Sequence, residues 1–150
     1  MNSSKIKSLL FLFATSIFFS FQPPLKGDLV INLGNIKKEK GMLWVGLYDS
    51  KENLFKKNKC ILQGVKVENT GDTIITMNNI NFGTYALAIF HDENSNGKLD
   101  KNLFGIPKEP YAFANWPASK WRAPFYEELI FDFLETNQTV DTDLTTWWDM

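Results

Sequence analysis

The sequence predicts an all-β fold, an antiparallel seven-stranded β-sandwich with one long folded loop between strands five and six. Three observations point there. Apolar residues alternate at a period of two from Asp28 onward. Clusters of Gly, Asn and Asp punctuate the alternating runs. No segment keeps a 3.6-residue period long enough for a long helix, and Asn53 to Lys57 is expected to form a single helical turn.

Leu29, Ile31 and Leu33 face one way while Val30, Asn32 and Gly34 face the other, which is the pattern of a half-buried strand. Gly34-Asn35 and the polar run Lys37 to Gly41 make a turn. Leu43, Val45 and Leu47 against Trp44, Gly46 and Tyr48 form the second strand, and the pair reads as a hairpin. A third strand is expected over 61–67 and a fourth over 73–77, separated by the turn at Asn69 to Asp72. The fifth, Thr84 to Phe90, is apolar on both faces, so it belongs in the middle of a sheet. Leu129, Phe131 and Phe133 mark the sixth strand. Val140, Thr142 and Leu144 mark the seventh, after the turn at Glu135 to Asn137.

The connection from Asp92 to Glu127 is far longer than the roughly 15 residues that loops in small domains rarely exceed. It is rich in large apolar residues, among them Leu99, Phe104, Ile106, Tyr111 and Trp116, so it must pack against something. Four prolines, at 107, 110, 117 and 124, stiffen it. A folded excursion across one end of the sandwich is expected.

At the N-terminus, Lys5 and Lys7 precede an apolar run from Leu9 to Phe21, shorter than the roughly 20 residues a membrane span needs. This reads as a signal peptide over residues 1–20, leaving a single domain over 21–150, exported to the periplasm or secreted, with no membrane span after cleavage. Without Lys5 and Lys7, 14 of the 16 basic residues remain against 17 acidic ones, a net charge of −3. That balance, and a sole basic cluster at Lys51 to Lys59 that is interleaved with other residues, argue against a nucleic-acid partner. Cys60 is the one cysteine, so the exported chain folds without an internal disulfide, and Cys60 reads as a small buried hydrophobe.

The stretch His91 to Asp100 carries the chemistry. Calcium takes six to eight oxygens at about 2.3 to 2.6 Å, and a short loop supplies them only when alternate residues point inward around a tight turn. With Asp92 as position one, Asp92, Asn94 and Asn96 offer side-chain oxygens at one, three and five. Gly97 falls at six, Lys98 offers its carbonyl at seven, and Asp100 ligates at nine. Leu103 stands at twelve, where a paired helical calcium hand carries glutamate, so further oxygens must come from Asn102, Glu109 or Asn115. With so few charged ligands, calcium is expected to bind with a Kd of about 10⁻⁴ to 10⁻³ M. The competing reading is a metal-free Asn-Gly turn, in which Asp and Asn side chains cap the backbone.

His91 lies on the strand face of Tyr85, Leu87 and Ile89, which makes a hydrogen-bonded structural histidine the default. No second histidine and no nucleophile motif accompany it, so no catalytic residues are assigned and the chain is expected not to be an enzyme. Trp116, Trp121 and Trp148 are candidates for a binding surface, the last because adjacent strand residues, here Trp147 and Trp148, face opposite ways.

The run from Gly83 to Asn94, continued by Asn96 to Asp100 and by Gly105 to Asn115, resembles the secreted bacterial domain-of-unknown-function family 2141. The likeness extends to Gly41–Tyr48 and to Pro124-Phe125. It implies an exported single domain with an immunoglobulin-like or prealbumin-like sandwich and no established activity. The expected role is therefore a non-catalytic envelope module, monomeric, whose calcium loop orders the excursion and presents a surface to an envelope protein or glycan. Two alternatives are a secreted hydrolase using His91, Asp92 and Glu109, and a carrier of a small apolar ligand held between the sheets.

Overall fold

Alternation along β1 (Lys26–Ile36) buries Leu29, Ile31 and Leu33 completely or nearly so, and the same pattern in β4 (Gly71–Asn81) buries Ile75 and Met77. A computed structural model describes residues 25–150, with β2 (Met42–Tyr48), β3 (Ile61–Lys66), β5 (Gly83–Asp92), β6 (Tyr111–Phe113), β7 (Ile130–Phe133) and β8 (Gln138–Asp143) completing the strands. The expected signal peptide lies outside the described residues. The one α-helix among them, α1 (Tyr126–Leu129), is a single turn, and two short 3₁₀ turns fall at Lys51–Asn53 and Lys57–Lys59.

The strands form two sheets. One has the order β4-β1-β8. The other has the order β3-β2-β5-β6, with β7 also paired to β5. Leu29, Ile31, Leu33, Ile75 and Met77 of the first sheet share one buried cluster with Leu43, Val45, Leu47, Leu87 and Ile89 of the second. The fold is therefore all-β and sandwich-like, held by apolar inner faces whose burial is the dominant stabilising term.

Three expectations change. There are eight strands among the described residues rather than seven, because Tyr111–Phe113 of the excursion forms β6. The sheets are not purely antiparallel: β8 runs parallel to β1, pairing Leu29 with Gln138 through Gly34 with Asp143. Parallel neighbours need a long connection, and here nearly the whole domain serves as one. The hairpin expected of β1 and β2 does not form, since β1 pairs with β4 and β8 while β2 pairs with β3 and β5. The polar run 37–41 carries the chain from one sheet to the other instead. The inner faces of the two sheets meet in one buried cluster of side chains.

The fifth strand does occupy the middle of its sheet. β6 lies opposite Ala88 to Phe90 and β7 opposite Gly83 to Ala86, end to end along one edge of β5. Both faces of β5 are covered. Its outer face belongs to a second cluster containing Tyr48, Ala86, Tyr111, Phe113 and Leu129. The excursion therefore packs on the outer face of the five-stranded sheet.

Candidate functional site

Alternation along β5 sends His91 inward with Leu87 and Ile89, and Asp92 outward with Ala88 and Phe90. Both are fully buried. The His91 Nε2–H donates to the Lys40 carbonyl at 2.7 Å, and Nδ1 has no partner among the described residues. Asp92 sits where β5 gives way to the turn and is surrounded by donors. Its Oδ2 accepts from the Gly97 amide at 2.7 Å and the Trp44 indole at 3.1 Å, and its Oδ1 accepts from the Asn96 amide at 3.0 Å. Burial pushes the Asp92 carboxyl up, but these donors outweigh it and hold the group below the usual range.

The rest of the turn is a nest of short side-chain to backbone bonds. Asn94 Oδ1 accepts from the Asn96 amide at 3.1 Å, and Asn96 Oδ1 from the Lys98 amide at 2.8 Å. The two side-chain amides donate to opposite oxygens of Asp100, at 2.7 and 3.0 Å. Asp92, Asn94, Asn96 and Asp100 thus converge, with Asn96 bonded to both aspartates. Gly97 supplies the φ of +76° that closes the bend. Gly41, at φ +78°, lets β2 approach so closely that a Cβ there would collide with the Asp92 carbonyl oxygen.

Glu109 joins this group from further along the chain. Its Oε1 accepts from the Glu93 amide at 3.0 Å and its Oε2 from the Asp100 amide at 2.9 Å, so one nearly buried carboxylate ties both ends of the turn. Burial, with smaller contributions from the charges of Asp100 and Asp92, raises the Glu109 carboxyl above its ordinary value. The other candidate ligands lie elsewhere in role or place. Asn102 Oδ1 caps its own turn, accepting from the Phe104 and Ile106 amides, and Asn115 donates to the Ile130 carbonyl on β7. Among the described residues, no three His, Cys, Asp or Glu side chains are grouped so as to hold an ion by themselves. Any cation at the turn must therefore draw on amide and backbone oxygens as well, as the Asp-Asn-Asn spacing provides.

The turn forms one wall of a cleft of about 700 Å³ on the outer face of the five-stranded sheet. Trp44, Phe90, Tyr111 and Phe113 make its floor, and Trp121 and Trp147 close the far side. Lys57 joins wall to floor: its ammonium lies 3.9 Å from the centre of the Trp44 ring and donates to the Gly97 carbonyl at 3.0 Å. Of the three expected surface tryptophans, Trp121 and Trp148 are strongly exposed and Trp116 is partly so, packed against Tyr111 and Phe113. Trp147 and Trp148 follow β8 rather than lying on a strand, so their opposed settings come from a turn. Cys60 is only half-buried, and burial raises its thiol above its ordinary value.

A second carboxylate moors the excursion. Glu128 accepts two bonds of 2.7 Å from Arg122, one of 2.9 Å from the Phe125 amide and one of 3.3 Å from the Ala118 amide. Hydrogen bonding to Arg122 is the main reason its carboxyl falls to about 2. Since that lies below the ordinary 4.5, ionised Glu128 favours the folded 118–125 strap of the excursion: the contribution is complete above pH 4.5 and fades as pH falls towards about 2. At neutral pH, Glu128→Gln should make chymotrypsin cut after Trp121 or Phe125 several-fold faster than in the parent chain. Unchanged cleavage would show that this carboxylate does not hold the strap.

Two sheets, an outer-face excursion and an oxygen-rich turn define an all-β domain with a covered face. The chain belongs to the family described as an uncharacterized protein conserved in bacteria (DUF2141), whose model matches residues 31–141. No curated protein and no solved structure matches it. Among the described residues no helix is long and apolar enough to cross a membrane.

Proposed function

We propose that this chain is an exported, non-catalytic binding module in which a calcium ion at the 92–100 turn fixes the excursion and the face it builds. The observation that carries this reading is the convergence of Asp92, Asn94, Asn96 and Asp100, with the Glu109 carboxylate tying the turn's two ends. The carboxylates of Asp92, Asp100 and Glu109 all belong to the turn's hydrogen-bond network, and none of them forms an ion pair with a Lys or Arg among the described residues. A divalent cation would offset that charge. Asp92, Asn94, Asn96 and Asp100 would hold it through side-chain oxygens and Lys98 through its carbonyl, with Glu109 in support.

The finer likeness to immunoglobulin-like or prealbumin-like modules fits the same role, since such sandwiches present loops from a rigid frame. The partner is an envelope protein or glycan met by the exposed Trp121 and Trp148. A hydrolase built from His91, Asp92 and Glu109 has less support, because His91 and Asp92 are both buried and point to opposite faces of β5.

Thermal melting during a calcium titration tests the ion. At roughly 10 mM calcium and a Kd of about 10⁻⁴ to 10⁻³ M, the midpoint should rise by about 4 °C or more. Asp100→Asn should abolish the rise. A midpoint unmoved by calcium in the parent chain would leave the turn as a purely hydrogen-bonded one.

A further inference from the structure

The aromatic cleft has a charge pattern that the net balance of the chain does not foreshadow. With 17 acidic against 16 basic residues the whole chain is slightly negative, yet among the described residues no Asp or Glu lines the cleft. Lys57, Lys98, Lys101, Lys120 and Arg122 do. Arg122 is neutralised by Glu128, whereas none of the four lysines is paired with an Asp or Glu side chain among the described residues. Lys57 is instead held over the Trp44 ring and bonded to the Gly97 carbonyl, while Lys120 lies beside Trp121 and Trp147 and donates to an oxygen of Met150, the last residue. The ammonium groups of Lys57, Lys98 and Lys101 are thus left without a counter-charge among the described residues.

The rings between them are apolar and not arranged for stacking. Tyr48 and Phe55 meet at 70°, Phe55 and Phe113 at 52°, Tyr111 and Phe113 at 57°, and Trp121 and Trp147 at 86°. No parallel pair among these offers a slot for a flat ring, and a tilted set of edges and faces suits the rounded profile of a methylene chain. The volume of about 700 Å³ is that of a site for one small molecule. We infer that the cleft binds a single-chain fatty carboxylate, its acyl chain against the aromatic floor and its headgroup on the lysines. This rests on the reading of the outer face as a binding surface, but not on the calcium ion, because the wall at 97–101 is formed by the turn's own hydrogen bonds.

Titration of tryptophan fluorescence with decanoate, run with and without about 1 mM calcium, provides the test. Decanoate should bind saturably with one-to-one stoichiometry and at least about tenfold more tightly than decanol or decyltrimethylammonium. Two charge reversals locate the headgroup: Lys98→Glu with Lys101→Glu on the turn side, and Lys120→Glu on the far side. One of them should weaken decanoate by about tenfold and leave decanol unaffected. Equal affinity for the cationic amphiphile, indifference to both reversals, or association with anionic vesicles but not with monomeric decanoate would overturn the inference. If decanoate binds while calcium leaves the melting midpoint unmoved, the ion reading fails and the ligand reading stands. The opposite pair of results separates them the other way.

Discussion

Replacing Asp92 by alanine should destabilise the fold by about 3 kcal/mol, because the Gly97 amide and the Trp44 indole then lose their acceptor in a buried place and the Asn96 amide keeps only Asn94 Oδ1. The Gly97 and Asn96 amides and the Trp44 indole all point at this carboxylate, which is fully buried at the end of β5. An orphaned buried donor costs about 1 to 3 kcal/mol, and the lower end applies where water enters the space left by the side chain. Asp92→Asn should cost less, since one oxygen still accepts. The effect should not stay local. Trp44 would lose its bond to the turn, the Lys57 bridge from Trp44 to Gly97 would loosen, and the wall of the cleft would shift. Urea unfolding of the two variants measures the cost. A loss for Asp92→Ala below about 1 kcal/mol would mean that water replaces the carboxylate and that the turn is not held from its first residue.

The other large effect lies in the core. Phe133 is the largest fully buried side chain, packed edge-on against Phe82 with ring centres 5.0 Å apart. Phe133→Ala should cost about 3 to 5 kcal/mol through lost burial and the cavity left behind, with a melting midpoint lower by about 10 °C or more. Phe133 ends β7, whose pairing with β5 anchors the returning end of the excursion. The variant should therefore also expose the 118–125 strap to protease. A shift of only a degree or two would indicate that the neighbouring side chains collapse into the space.

How much of this was legible in the sequence depends on whether a feature is local. The turn was: Asp92, Asn94, Asn96, Gly97 and Asp100 are spaced by the requirements of one bend, and they do converge. The central position of β5 was legible too, because a strand apolar on both faces must be covered on both. Pairing was not. The alternation of β1 and of β2 says that each has an inner face but not which sheet it joins, so the hairpin that proximity suggests gives way to a crossing between sheets. The parallel β1 and β8 pair joins the two ends of the described chain, and no short-range signal carries it. β6 is only Tyr-Ala-Phe, too short for a period to show, and its strand character comes from the edge of β5. Glu109 was one of three candidates along the excursion, and only the path through β6 brings it back to the turn. Trp44, the indole partner of Asp92, escaped notice because the two are joined by strand pairing across β2 and β5 and not by spacing.

The occupancy of the turn by calcium is tested most directly by following backbone amide resonances during a calcium titration. The expected result is a saturable movement of the Asn96, Gly97 and Lys98 amides, with a Kd of about 10⁻⁴ to 10⁻³ M, while β1 and β4 stay unmoved; Asp100→Asn should abolish it. Amides of the turn that remain fixed at roughly 10 mM calcium, in a chain that is folded, would contradict it.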